Sequence, residues 1–324
     1  MRTTLRLTAL LTVCLAVASP AAAQRFTFEK SLDAGTAATL DVTTERGKID
    51  ITTGDEAHIV IKGTVTVRVG VNVPANAVTL AQQLADQPTT IEQSGTVVRV
   101  QPPKEDDVRR AVTVSYEIRV PAQAIVSAIS DSGAIAVHGV GGALTVTTRS
   151  GAISLSGLGA LANITTGSGA VSLTGAGGPV TVRTQSSGIT LRELRSNLDA
   201  HTQSGSVNAT FTAPGDVVVE TGSSEISLSG VNGSLTTTTR SGRTTVVGRA
   251  TKPWTSSSTS GGIRLAVGSG GLTVEATTGS GSVVIEGLRV DGTIEKRKVV
   301  GTVARGGPAV RATSRSGSIR ITHD

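Results

Sequence analysis

From Asp131 to Ile321 the chain repeats a pattern of about eighteen residues, about ten times over. Three consecutive copies read GAIAVHGVGGALTVTTRS (133–150), GAISLSGLGALANITTGS (151–168) and GAVSLTGAGGPVTVRTQS (169–186). Their leading positions fall at Gly133, Gly151, Gly169, Ser187, Gly205, Ser224, Gly242, Gly261, Gly281, Val299 and Gly317, at spacings of 18 to 20 residues. A unit this small cannot bury its own apolar face, so a fixed short period implies coils stacked on one another.

Within a copy, the second and fourth residues after the leading position are mostly apolar. The first row runs Ile135, Ile153, Val171, Ile189, Val207, Ile226, Thr244, Ile263, Val283 and Ile319, with Gly301 as a defect. Alternation of this kind marks a short strand with one inward face. Six residues after the leading position a glycine often follows (Gly139, Gly157, Gly175, Gly230, Gly248, Gly287), where a turn with positive φ is expected. A second strand follows, with Leu144/Val146, Val180/Val182 and Leu272/Val274 inward, and Thr-x-Ser-Gly closes the coil. The expected fold is all-β: a parallel β-solenoid with two strands per coil and a flattened section. Ten steps at the strand spacing of ~4.8 Å would make a rod about 50 Å long. Parallel crossovers favour a right-handed coil.

Three regions are expected. Residues 1–23 have the form of a signal peptide: Arg2 and Arg6, an apolar run Leu7–Val17, and Ala21-Ala22-Ala23 before Gln24. That run is too short for a permanent membrane span, and Val13 before Cys14 argues against a lipidation site. Cys14 is the chain's single cysteine, so removal of the leader leaves no disulfide or thiol chemistry. Residues 24–120 read as an irregular β-rich region. In it Leu40–Gly54 resembles a stray coil, Ala57–Val69 alternates, and Asn76–Ala85 has the spacing of one short helix capped by Asn76. The charged stretch Pro102–Arg110 reads as a loop between strands at Thr96–Gln101 and Ala111–Val120. Residues 121–324 form the repeat array.

The order of these parts resembles a family of bacterial β-strand-repeat proteins often labelled as candidate adhesins. The similarity is carried by an irregular β-rich start, the strand Tyr116–Pro121 (YEIRVP), and many copies of x-Ser-Gly-x-Ile-x-Val. It covers roughly Leu40 to Ile321. These motifs describe a backbone, so what the resemblance implies is an exported solenoid with a surface role and no catalytic residues to carry over.

Enzymatic β-helices that cut or modify polysaccharides need carboxylates gathered on one face. Between Asp131 and Glu193 there is neither Asp nor Glu. The best candidate cluster is Asp199, Asp216 and Glu220 with His201, the two aspartates falling twelve and eleven residues after successive leading positions. Aromatic platforms for sugar rings are scarce: Phe26, Phe28, Tyr116, Phe211 and Trp254. Calcium-binding β-rolls carry an aspartate in each half-turn, where this chain has Ser, Thr and Gly. The four histidines lack zinc-ligand spacing, and no helix follows the Gly-rich corners to cradle a phosphate. Flat Thr-x-Thr lattices of the ice-binding kind are interrupted, for example at Thr181/Arg183 and Asp199/His201.

Charge is uneven. From Arg240 onward the chain has 13 basic residues and 5 acidic ones, including Lys296-Arg297-Lys298, an expected patch for an anionic partner. The sequence therefore leads to an exported, non-enzymatic, adhesin-like or envelope-associated protein without cofactor, located in the periplasm, on the cell surface or outside. Its expected partner is an envelope polysaccharide, lipid or protein, and not nucleic acid. The rivals are a polysaccharide lyase or hydrolase using the Asp199 neighbourhood, and a periplasmic scaffold or sensor module.

Overall fold

The computed structural model describes residues 24–54 and 57–323; the expected leader lies outside them. The first part of the chain forms β1 (Arg25–Asp33), β2 (Thr39–Thr44), β3 (Ile49–Thr53), β4 (His58–Val67), α1 (Ala77–Asp86), β5 (Ile91–Ser94), β6 (Val97–Val100), α2 (Asp106–Ala111) and β7 (Val112–Val120). Paired short strands then follow: β8 (Ile125–Ser130), β9 (Ile135–His138), β10 (Leu144–Thr148), β11 (Ile153–Leu158), β12 (Ala162–Thr166), β13 (Val171–Ala176), β14 (Val180–Thr184) and β15 (Ile189–Leu194). The series continues with β16 (Leu198–Thr202), β17 (Val207–Phe211), β18 (Val217–Thr221), β19 (Ile226–Asn232), β20 (Leu235–Thr239), β21 (Thr244–Arg249), β22 (Trp254–Ser258) and β23 (Ile263–Val267). The last elements are β24 (Leu272–Thr278), β25 (Val283–Glu286), β26 (Val290–Ile294), β27 (Lys298–Val303), β28 (Ala309–Ser314) and β29 (Ile319–His323).

Each coil contributes one strand to each of two sheets, so the molecule is a two-sheet solenoid, mostly parallel. Ile135, Ile153 and Val171 stand in register on successive rungs, with Val137, Leu155 and Leu173 beside them, all buried. On the second sheet Leu144, Ala162 and Val180 form the facing column. Burying one such Ile or Leu contributes about 1.5–3 kcal/mol, and parallel pairing gives each rung's backbone groups partners above and below. A single buried cluster runs from Phe28 to Ile321.

Between β8 and β23, spatial order follows chain order. At both ends it does not. The first sheet reads β1-β4-β7-β3-β9 at one end and β21-β23-β29-β25 at the other; the second reads β8-β2-β6-β5 and β26-β27-β24-β28-β22. The coil β2/β3 is thus enclosed between β8/β9 and β6/β7. The last coil, β28/β29, is enclosed between β22/β23 and β24/β25. Antiparallel strands complete the ends: β1, β4 and β7 on one side, β5 with β6, and β24, β27 and β26 at the other.

Four sequence expectations change. Gly248 does not take the positive φ expected of it. The copy led by Val299 is not a coil: β27 runs antiparallel to both β24 and β26, forming a hairpin across the end of the stack. Its alternating valines mimic a coil strand because alternation encodes a buried face but not strand direction. The stretch Pro102–Arg110 is not all loop, since α2 begins at Asp106. Asp106 and Asp107 lie in its first turn and Arg109 and Arg110 in its last, the arrangement that the helix dipole favours. Arg109 pairs with Asp106, and Arg110 lies 2.6 Å from Asp107. Finally, Asn76 precedes α1 as expected but makes no side-chain capping bond.

Candidate functional site

The Thr-x-Ser-Gly corner is held from the inside. In most coils the buried hydroxyl that ends the second-sheet strand accepts a hydrogen bond from the backbone N–H three residues on: Thr148 from Gly151 (3.0 Å), Thr166 from Gly169 (2.9 Å), Thr202 from Gly205 (2.9 Å), Ser258 from Gly261 (2.7 Å). The leading glycine is required by close stacking. A Cβ on Gly151 would lie 1.9 Å from the carbonyl oxygen of Gly133, and one on Gly169 1.8 Å from that of Gly151. The glycine six residues later acts through conformation, with φ of 77°, 63° and 75° at Gly139, Gly157 and Gly175. In the next coil Glu193 takes that place at φ 58°, its N–H donating to Thr210 Oγ1 at 3.1 Å.

Two corners break the rule, those led by Ser187 and Ser224. At the first, Thr184 is buried and its hydroxyl has no hydrogen-bond partner. At the second, the Thr221 hydroxyl turns instead to the carbonyl of Gly205, at 3.1 Å. Beside these corners lies an open groove of about 750 Å³, lined by residues that include Arg183, His201, Gln203, Glu220, Thr238 and Arg240.

The outer face of the second sheet brings part of the expected acid–base cluster to this groove. Rung register sets Arg183 beside His201 and His201 beside Glu220. His201 Nε2 lies 2.6 Å from Asp199 Oδ1, off the hydrogen-bonding direction, and His201 Nδ1 lies 3.2 Å from Glu220 Oε2. Arg183 completes the row, 3.5 Å from Asp199 Oδ2. Arg240 has no ion pair among the described residues.

Asp216 is not part of this group. Register places Val218, not Asp216, beside Asp199: Asp216 already falls one position earlier in its coil than Asp199 does, and the extra residue in the coil from Gly205 to Ser224 sets it back by one more. Asp216 instead pairs with Lys252 (2.9 Å) and accepts from the Ser234 N–H (3.1 Å). The Lys252 ammonium, with that N–H, holds its carboxyl down to about 2. Trp254, one of the few aromatics, is a core residue and no sugar platform: it is fully buried and its indole N–H donates to the Gly233 carbonyl at 3.0 Å. Among the described residues no group of three His, Cys, Asp or Glu is placed to hold a metal.

Lys296, Arg297 and Lys298 are exposed at the β26–β27 turn. The turn itself is fixed, since the carbonyls of Lys296 and Arg297 accept from the N–H groups of Val283 and Thr278 at 2.9 Å each. Sequence reading missed Arg183 and Arg240 as site residues. The signal was the position of Arg183 in the outward row that also holds Thr147, Thr165 and His201.

No curated protein matches the chain. Two solved structures are similar to it. One is a candidate cell adhesion protein from Clostridium sporogenes, 13% identical, covering 93% of this chain and 100% of the other at a TM-score of 0.19. The second is a candidate adhesin from Bacteroides fragilis, 13% identical, covering 92% and 97% at a TM-score of 0.26. The sequence pattern of one family spans residues 35–322, nearly the whole repeat-bearing chain: the protein belongs to the Toastrack DUF4097 family.

Proposed function

We propose that the chain is an exported, non-enzymatic binding rod of the cell envelope, working without a cofactor in the periplasm, on the surface or outside. The observation that carries this reading is the outer surface of the stack. Hydroxyl and amide side chains repeat along both sheets: Ser154, Ser172 and Thr190 on one, Thr145, Asn163 and Thr181 on the other. Strand spacing makes such rows a regular lattice of donors and acceptors, suited to an extended polar partner such as envelope polysaccharide. The exposed Lys296–Lys298 turn adds a second contact for an anionic lipid, glycan or protein surface. No helix among the described residues is long and apolar enough to cross a membrane.

The test is capture of envelope components by the purified chain, with cell fractionation to place it. Retention of a defined envelope polymer that weakens as salt rises is the expected result. Recovery of the protein with the cytoplasm, and no retention of any envelope component, would sink the reading. A polysaccharide-active enzyme is a second reading, favoured by one observation: His201 sits between two carboxylates at the edge of the groove. Release of new reducing ends or unsaturated products from acidic polysaccharide would establish it.

A further inference from the structure

We propose that the groove between Arg183 and Arg240 is a binding site for an extended acidic oligosaccharide. The proposal rests on the binder reading above and gives it a place and a ligand chemistry. The groove crosses the rungs of β14, β16, β18 and β20, so its two arginines stand three strand spacings apart, about 14 Å. Arg183 is more than half exposed and shares only one contact with Asp199, at 3.5 Å; Arg240 has no ion pair among the described residues. Guanidinium groups bind carboxylates through paired N–H donors. Between them Gln203, Ser204, Ser223 and Thr238 offer amide and hydroxyl groups, which match the hydroxyls of a sugar chain, while the Glu220 carboxylate beside His201 confines the ligand's acidic groups to the two arginine ends.

The groove also runs beside a corner with an unmet hydrogen-bonding group. Thr184 is 7% exposed, lines the groove, and its hydroxyl has no partner. Equivalent hydroxyls at neighbouring corners are satisfied by their leading glycine. A buried hydroxyl left unmade is costly, but this one lies on the inward face of its strand with its oxygen closed to solvent, so it marks the corner beside the groove as irregular and gives the ligand no contact.

A peptide fits less well. Peptides that add to sheets need a free strand edge, and here the corner backbone is already spent between rungs. Ser204 N–H donates to Gln185 O at 3.0 Å and Ser241 N–H to Gly222 O at 3.2 Å. The groove edge also lacks aromatic side chains, so recognition of a neutral sugar by stacking has no platform here.

The experiment titrates the full chain with a galacturonate hexamer at low and moderate salt, with a neutral maltohexaose and a hexaglutamate peptide as parallel probes. Wild type binds the galacturonate, and the double variant Arg183→Ala/Arg240→Ala weakens it at least tenfold with an unchanged thermal midpoint. Thr184→Val, which keeps the side chain's shape and removes only the inward hydroxyl, leaves it unchanged. Lys104→Ala, at an exposed position outside both the groove and the Lys296–Lys298 turn, leaves it unchanged, and a triple variant with Lys296, Arg297 and Lys298 reversed to glutamate tests the rival site. Equal binding of hexaglutamate or maltohexaose overturns the acidic-carbohydrate assignment. Loss of binding in the triple variant but not in the double overturns the groove and leaves the binder reading standing. No galacturonate binding by wild type also overturns the groove proposal, while envelope capture decides the broader reading separately.

Discussion

The middle of this solenoid and its two ends solve the same problem differently. From β8 to β23 each coil lies on the one before it in the chain, and every rung's backbone finds its partner in the next eighteen or nineteen residues. An end has no next coil. There the chain turns to antiparallel strands, with Phe28 of β1 opposite Gly63 of β4 and Thr302 of β27 opposite Asp291 of β26. It also draws its first and last complete coils inward, enclosing β2/β3 and β28/β29 on both sides. Repetition is enough to grow a rod; terminating one takes a different sequence and a different topology. This is how open sheet edges, which invite unwanted pairing, are kept short.

The sharpest way to break the comparison is to delete residues 309–323. The segment β24–β27 then loses the rung that joins it to β22/β23. The expected outcome is that residues 272–303 become cleavable in limited proteolysis while the middle stack resists. A deleted chain whose whole length resists like wild type would show that β24 can dock on β22 directly.

Within the middle, Ile153→Asp buries a charge between Ile135 and Val171 and should cost about 4 kcal/mol or more, read by denaturant unfolding. Unchanged stability would mean that this column faces water.

At the N-terminal end the test is pH. Burial pushes the Tyr116 phenol up to about 12, with the Thr90 hydroxyl beside it opposing the shift slightly. The folded state therefore holds this proton more tightly than the unfolded chain does. The contribution is complete below about 10 and is lost as pH rises toward about 12. Holding the proton up to about 12 corresponds to about 3 kcal/mol. Unfolding measured between pH 9 and 12 should show this loss, and Tyr116→Phe should remove that part of the slope.

A smaller effect tests the regular corner. Gly151→Ala places a Cβ against the Gly133 carbonyl and should cost about 2 kcal/mol. The irregular corner should respond in the opposite sense: Ser187→Gly, by restoring the N–H cap to Thr184, should stabilise by about 1 kcal/mol. If both substitutions destabilise equally, the two corners do not differ in the way their hydrogen bonds indicate.

The fold was legible in the sequence wherever the physics was local. The Ile135–Ile153–Val171 column, the left-handed glycines at 139, 157 and 175, and α1 follow from spacing within one coil or one helix. Two features were not, because they depend on which segments meet. Val299 and Val303 have the spacing of a coil strand, and nothing nearby states that their strand runs backward. Similarly, α2 spans six residues, too few for a helical period to show. The candidate site was half legible. His201 and Glu220 meet one lengthened coil apart, whereas Asp216 falls two positions short of the partner of Asp199, one by its count in the coil and one through an extra residue whose position the period alone does not reveal. Arg183 stood in plain view as an interruption of a threonine row, and only the adjoining groove gives that interruption a meaning.

The enclosed last coil also sets a schedule. A chain made from its N-terminus can add the rungs of the middle stack one at a time as they emerge. The place for β28/β29, however, lies between two coils that are both synthesised earlier. Those coils must therefore wait apart, or come apart again, until residues 309–323 arrive. Completion of the far end becomes a late and single event, the slowest step that long-range parallel pairing imposes. A rod interrupted shortly before its finish would leave that gap open, with unpaired strands on either side of it to mark the chain as incomplete.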